Sequence, residues 1–150
     1  MTRSRRRFTR YLSLICLLVI GATATACRPA PGGSPEPYPP PPDYVVSTIN
    51  AHFGDLGPGV VSCMTSIAWR ESGYVAEADN GTHRGLFQSE WASSVWDNVN
   101  ANLGLPAGWV RFFWQDPWLQ GAVARSQYES WVQRGVSGFQ PWIATRGGCR

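Results

Sequence analysis

The chain of 150 residues contains no lysine, and this absence excludes one class of catalytic group. All thirteen of its basic residues are arginine. A serine nucleophile that depends on a lysine in a Ser-x-x-Lys motif therefore cannot occur. The sequence also lacks a Gly-x-Ser-x-Gly elbow and a glycine-rich phosphate-binding loop, so the common motifs of serine hydrolases and nucleotide-binding proteins are missing.

Histidine and cysteine are scarce, and those present are poorly spaced for binding a metal. His52 and His83 stand far apart in the sequence, and the four cysteines include no Cys-x-x-Cys pair. Structural zinc sites and His-Glu-x-x-His metalloenzymes depend on such spacings. We therefore expect neither a metal site nor a cofactor.

Most of the chain also lacks an excess of charge of either sign. The formal charge of +3 arises in residues 1–28, which hold six arginines and no acidic residue. Residues 44–150 hold seven arginines and eight acidic residues. Because nucleic-acid binding relies on a basic surface, we expect no nucleic-acid partner.

The first 26 residues have the organisation of an export signal. Five arginines lie within residues 1–10, an uncharged apolar stretch follows from Tyr11 to Ile20, and small residues lead to Cys27. This order predicts a secretory signal peptide over residues 1–26 and an exported, extracytoplasmic protein. The arginine run fits both the twin-arginine route and the general secretory route.

The segment that follows the signal has two interpretations. Ala24-Thr25-Ala26 suits ordinary signal peptidase, whereas Cys27 stands where a bacterial lipoprotein would be acylated. Eight of the twelve prolines lie between Pro29 and Pro42, so residues 27–43 are predicted to form an extended linker. A spacer of this kind suits a domain anchored to a membrane by a lipid on Cys27; the alternative is the disordered tail of a freely secreted protein.

Four helices are predicted in residues 44–150 from apolar periodicity and capping residues. In chain order they run from the cap Asp43 to Phe53, from about Gly59 to Ser72, from the cap Ser89 to Gly104, and from Asp116-Pro117 to just before Gly135. Between the second and third helices, Asn80-Gly81 is a tight-turn signal that predicts a small β-hairpin. The expected fold class is α+β and mostly helical.

Cys63 and Cys149 are the only cysteines of this predicted domain. Outside the cytoplasm, such a pair is most simply a disulfide. The bond would tie the C-terminal tail to the helix that carries Cys63.

Glu71 conflicts with the pattern of its own helix. An apolar stripe at helical spacing is formed by Val60, Met64, Ile67 and Ala68, and Glu71 is the next position on it. The residue also lies at a helix C-terminus, where the dipole disfavours negative charge. Both effects favour a protonated carboxyl group, which is what a general acid requires. The structural alternative is a glutamate that reaches past the helix end into water, beside Arg70.

Three segments taken together resemble the catalytic block of the lysozyme-like superfamily. They are Ile67 to Gly73, Asp79 to Gln88, and Trp91. The pattern is most similar to soluble lytic transglycosylases and resuscitation-promoting-factor domains, in which a helix-ending Glu-Ser precedes a Gly-Leu-(Phe/Met)-Gln stretch, here Gly85 to Gln88. One departure is that Thr82 or His83 stands where many transglycosylases have serine.

The resemblance implies a lysozyme-like domain over residues 44–150 that acts on peptidoglycan glycan strands. Glu71 would be the general acid/base at the β-1,4 glycosidic bond, and Gln88 would help to line the saccharide groove. Aromatic residues serve sugar binding and core packing equally well, and Trp91 and Tyr128 are the candidate substrate-binding residues because of their positions.

The resemblance further implies a lytic transglycosylase, which needs one carboxylic acid and yields a 1,6-anhydro product. A hydrolytic muramidase would use a second carboxylate, and no spacing selects one. A rival hypothesis is a non-catalytic peptidoglycan-binding lipoprotein with the same fold. A third is a structural partner of wall-remodelling proteins.

Overall fold

The computed structural model describes residues 38–150, which form a mostly helical α+β unit with one small antiparallel sheet. The predicted fold class is confirmed at this level. The elements in chain order are α1 (Asp43–Phe53), α2 (Pro58–Ser72), β1 (His83–Arg84), β2 (Ser89–Glu90), α3 (Val95–Asn102), α4 (Trp109–Phe112) and α5 (Pro117–Val132). Short 3₁₀ turns at Gly54–Leu56 and Gln140–Trp142 complete the description.

The predicted signal peptide over residues 1–26, Cys27 and the linker up to residue 37 lie outside the described residues. Within residues 38–150, no helix has both the length and the apolar character needed to cross a membrane.

Helix α1 supplies the centre of the larger apolar core and packs against both α2 and α5. Val45, Ile49 and Phe53 recur every fourth residue and are fully buried. Helix α5 approaches α1 closely at Gly121, where an added Cβ would lie 2.3 Å from Cδ2 of His52. A glycine at this position is therefore required by the helix packing.

A second apolar cluster joins α3, α4 and α5. Trp96 is its largest fully buried side chain, with Val110 and Val123 beside it. The indole Nε1 of Trp96 donates to the carbonyl of Glu90 at 3.0 Å, which fixes α3 against the end of the small sheet.

Helices α1, α2 and α5 begin and end within a residue or two of their predicted limits. Asp43 is the first residue of α1 and not its cap, since Pro42 precedes the helix. The side chain of Asp116 accepts hydrogen bonds from the backbone of Trp118 and Leu119 and caps α5 as predicted. Gly73 adopts a left-handed φ of 62° and ends α2.

The helix predicted to start at Ser89 is wrong in its first turn. Ser89 belongs to strand β2, where it pairs with Arg84, and α3 begins only at Val95 after Ser94. The backbone N–H of Trp91 donates to the carbonyl of Thr82 at 2.8 Å, so this stretch is engaged in the sheet and cannot enter a helix. The short helix α4 was not predicted.

The turn predicted at Asn80-Gly81 is confirmed. The backbone N–H of Asn80 donates to the carbonyl of His83 at 3.2 Å, and Asp79 pairs with Arg84 across the turn. A second turn, Gly85 to Gln88, then joins β1 to β2.

Cys63 and Cys149 form the predicted disulfide, with their Cα atoms 5.8 Å apart. The bond attaches the C-terminal tail to the middle of α2. Residues 38–42, from the end of the predicted linker, lie on the same side of α2. Arg70 donates from Nε to the hydroxyl oxygen of Tyr38 at 2.7 Å, so the described unit includes the last part of the proline-rich segment.

Candidate functional site

Glu71 lies in the last turn of α2 and is half-buried. The hydroxyl of Thr145 donates a hydrogen bond to its Oε1. Arg70, its neighbour in sequence, does not pair with it and instead donates from Nη1 to the carbonyl of Thr145 at 2.8 Å. One carboxylate oxygen of Glu71 is thus held by the C-terminal segment.

Ser72 brings the helix end and the Gly85–Gln88 turn together. Its hydroxyl lies 3.0 Å from the carbonyl oxygen of Leu86 and 3.0 Å from that of Ala68 in its own helix. The two segments that carried the family resemblance are therefore neighbours in the structure, joined through the serine that follows Glu71.

Gln120 of α5 also supports the Gly85–Gln88 turn. It was not among the predicted site residues. Its Oε1 accepts from the backbone N–H of Leu86 at 2.8 Å, while its Nε2 donates to the carbonyls of Ala76 at 2.7 Å and Trp114 at 2.8 Å. Gly85 has a φ of +80°, and a Cβ there would lie 2.5 Å from the Gln120 amide carbon. The sequence signal was a polar residue beside Gly121, on the face of α5 that packs inward.

Gln88 uses its side-chain amide within the loop that contains it. Nε2 donates to the carbonyls of Gly85 at 3.0 Å and Ala78 at 3.2 Å, and Oε1 accepts from Asn80 at 3.0 Å. The backbone of Gln88 has a positive φ of 44°, a strained conformation that these bonds help to hold. Gln88 also lines the cleft described below.

Trp91 makes cation–π contacts with two arginines. The guanidinium carbon of Arg84 lies 3.9 Å from its ring centroid and that of Arg111 lies 5.0 Å away. The Trp96 ring packs edge-on at 5.2 Å. Through these contacts Trp91 packs between the sheet residue Arg84 and Arg111 of α4.

Tyr128 packs against the core. Its ring meets the rings of Phe53 at 6.0 Å and Phe139 at 5.3 Å, both edge to face. A Cβ at Gly138 would lie 2.4 Å from the tyrosine ring. The ring is therefore enclosed by residues of α1 and of the segment after α5.

A polar cleft of about 370 Å³ lies between α3 and the C-terminal half of α5, and we call it the α3–α5 cleft. Four serines and three side-chain amides line it, together with Trp131 and Arg134, whose guanidinium carbon lies 4.8 Å from the indole centroid. The other walls hold His83, Gln88, Glu90 and Trp142. Hydroxyl and amide groups beside a half-buried indole, here that of Trp131, are groups that suit a sugar.

The structure brings only one of the predicted binding residues, Gln88, to this cleft; Glu71, Trp91 and Tyr128 do not line it. Trp142 connects the cleft to Glu71. Its indole lines the cleft and donates to the carbonyl of Phe87 at 2.8 Å, and its backbone carbonyl lies 3.3 Å from the hydroxyl of Thr145, which holds Glu71.

The other carboxylates of this region are largely engaged in ion pairs. Asp79 lies 3.0 Å from Arg84, and Asp97 lies 3.3 Å from Arg111. Glu90 lines the α3–α5 cleft. Within residues 38–150, histidine, cysteine, aspartate and glutamate form no group of three that could hold a metal ion.

Comparison of the chain with protein-family models, curated proteins and solved structures finds no match. The lysozyme-like resemblance therefore rests on the sequence motifs of this chain alone.

Proposed function

We propose that the protein cleaves the β-1,4 glycosidic bond of peptidoglycan glycan strands, with Glu71 as the general acid/base of a lytic transglycosylase in a lysozyme-like domain. One observation carries the proposal. The hydroxyl of Thr145 holds Glu71 at the end of α2, beside the Gly85–Gln88 turn to which Ser72 is bonded.

This arrangement suits general acid catalysis, because the two carboxyl oxygens have different tasks. Thr145 occupies Oε1, which leaves Oε2 to carry the proton to the glycosidic oxygen. As the C1–O4 bond breaks, the C6 hydroxyl of the same sugar forms the C1–O6 bond and returns a proton to Glu71. No second carboxylate is needed, which agrees with the ion pairs made by Asp79 and Asp97.

We expect Glu71→Gln to abolish cleavage and to preserve the fold, since glutamine has the same shape and its oxygen still accepts from Thr145. Purified peptidoglycan is digested and the products are analysed by mass spectrometry. Glu129→Gln is the matched control: Glu129 is an exposed residue of α5 that pairs with Arg125. Anhydro ends from the wild type and from the control are expected, and soluble muropeptides released by Glu71→Gln would contradict the proposal.

The α3–α5 cleft favours a second candidate function, a non-catalytic glycan-binding protein. Its serine, amide and indole lining suits a saccharide, and it does not include Glu71. The same digestion separates the two candidates. Retention of the protein on insoluble peptidoglycan without new chain ends supports the binder, and reducing ends in place of anhydro ends indicate a hydrolase.

A further inference from the structure

Glu71 and the proline-rich segment are connected by a continuous chain of hydrogen bonds. The Tyr38 hydroxyl accepts from Arg70, Arg70 Nη1 donates to the carbonyl of Thr145 at 2.8 Å, and the Thr145 hydroxyl donates to Glu71. Arg70 and Glu71 are adjacent residues that both bond to Thr145, Arg70 to its carbonyl and Glu71 to its hydroxyl. Arg70 in addition bonds to Tyr38.

The backbone position of Thr145 is constrained on both sides. Its backbone N–H donates to the carbonyl of Trp142 at 3.0 Å, and the disulfide at Cys149 anchors the tail beyond it. The space between is filled by the guanidinium of Arg70, because a Cβ at Gly147 would lie 2.5 Å from its Nη1. Arg70 therefore packs closely against the C-terminal segment.

Tyr38 contacts the guanidinium group of Arg70 through both its hydroxyl and its ring. Both Nε and Nη2 of Arg70 donate to its hydroxyl, and the guanidinium carbon lies 5.5 Å from the tyrosine ring centroid. The Tyr38 ring also meets that of Trp69 at 6.5 Å. Pro39 to Pro41 line a groove beside the disulfide. The end of the proline-rich segment therefore packs beside α2 and the C-terminal tail.

From this geometry we infer that Thr145 is the positioning residue for Glu71, and that Arg70 and Tyr38 hold Thr145 in place. The inference rests on the proposed function. A hydroxyl fixed on Oε1 sets the rotation of the carboxyl group and directs the proton-bearing Oε2 toward the scissile oxygen. The proline-rich segment thereby contributes to turnover through Tyr38, in addition to its role as a spacer.

The test compares two substitutions at Thr145 in steady-state cleavage of a soluble peptidoglycan oligosaccharide. Thr145→Val keeps the shape and removes the hydroxyl, whereas Thr145→Ser keeps the hydroxyl. We expect Thr145→Val to lower kcat by roughly ten- to a hundredfold with little change in KM, and Thr145→Ser to restore most of kcat. Thr65→Val is the matched control, since the Thr65 hydroxyl bonds only to the Val61 carbonyl in its own helix.

The outer half of this hydrogen-bond chain is tested by Tyr38→Phe, which removes the hydroxyl that accepts from Arg70 and that also bonds to Ser66. We expect a smaller loss of kcat, on the order of threefold to tenfold, with KM unchanged. Assays are run well below the melting temperature of each variant. Should Thr145→Val fail to fold, we expect Arg70→Gln, which loses the bonds to the Thr145 carbonyl and to Tyr38, to lower kcat with KM unchanged, and an unchanged kcat overturns the inference.

The failure of this inference differs from the failure of the proposed function. A wild-type protein that does not cleave overturns both. Cleavage that requires Glu71 but is equally fast with Thr145→Val overturns the positioning role alone, and so does an equal loss with valine and serine. An unchanged kcat in Tyr38→Phe overturns the contribution of the proline-rich segment.

Discussion

The His52 side chain packs between α1 and α5, and this packing changes its pKa. It lies in the last turn of α1, its ring centroid 4.8 Å from that of Trp118, and it fills the space above Gly121. Burial lowers the pKa of His52 below its ordinary value; a hydrogen bond to the Trp118 backbone opposes this, and the positive charge of Arg125 adds to it. The folded protein therefore favours the neutral imidazole.

The lowered pKa of His52 predicts a loss of stability in mild acid. Below the ordinary pKa of about 6.5, the unfolded chain takes up the proton more readily than the folded one. The free energy of unfolding therefore decreases as the pH is lowered, until the pH is below the folded-state pKa. Denaturant unfolding between neutral pH and mild acid measures this fall. In His52→Gln the decrease in unfolding free energy should be smaller. Equal pH dependence in both proteins would contradict a lowered pKa of His52 as its cause.

Residue-level prediction from the sequence depended on a broken local rule, and the catalytic role it assigns to Glu71 stays a prediction. Glu71 was identified because a carboxylate stood on an apolar stripe, and the structure places it half-buried at the helix end. Thr145 was missed because nothing unusual surrounds it in sequence, and Gln120 because a polar residue beside Gly121 does not show which groups it bonds to. Their roles come from partners 74 and 34 residues away, Glu71 and Leu86.

At the scale of elements, α5 holds the candidate site through Gln120. Replacing Gln120 with leucine would leave backbone groups of Leu86, Ala76 and Trp114 without partners in a buried region. We expect a loss of about 2 to 4 kcal/mol in the free energy of unfolding, measured by denaturant titration.

Gln127→Leu on the same helix is the control for Gln120→Leu. Its amide oxygen accepts one bond, from the Ser89 hydroxyl at 2.9 Å, and the side chain is only half-buried. We expect it to cost about 1 kcal/mol or less. Equal losses in the two variants would show that Gln120 is not a specific support of the turn.

Element boundaries were predictable where capping chemistry is local. The predicted end of α2 at Ser72 and the predicted start of α5 at Asp116-Pro117 were correct, since Gly73 ends α2 by its left-handed backbone and Asp116 caps α5 by its own hydrogen bonds. Ser89 looks equally suitable as a cap but is drawn into a strand, because pairing with Arg84 satisfies its backbone.

At the scale of the whole molecule, the Cys63–Cys149 disulfide closes a long loop, with a sequence separation of 86. We expect its removal in the double variant Cys63→Ser, Cys149→Ser to cost about 4 to 5 kcal/mol, because the unfolded chain regains the entropy of that loop. Most single domains are stable by only about 5 to 15 kcal/mol, so the effect would be large. Thermal unfolding with and without a reductant measures it.

The double variant also provides its own control for the disulfide. A reductant should destabilise the wild type and leave the variant unchanged. A wild type that is insensitive to a reductant that reaches the bond would contradict a stabilising role for the Cys63–Cys149 link.

The sequence by itself determined the helical character of residues 44–150, the disulfide and the exceptional position of Glu71, because periodicity, cysteine count and local capping are properties of neighbouring residues. Only the tertiary structure decided that Thr145 holds Glu71, that Gln120 supports the Gly85–Gln88 turn, and that Trp91 and Tyr128 are packed and not aligned along the α3–α5 cleft. These contacts join segments that are distant in the chain. Their formation depends on how α1, α2 and α5 pack, which no local pattern specifies.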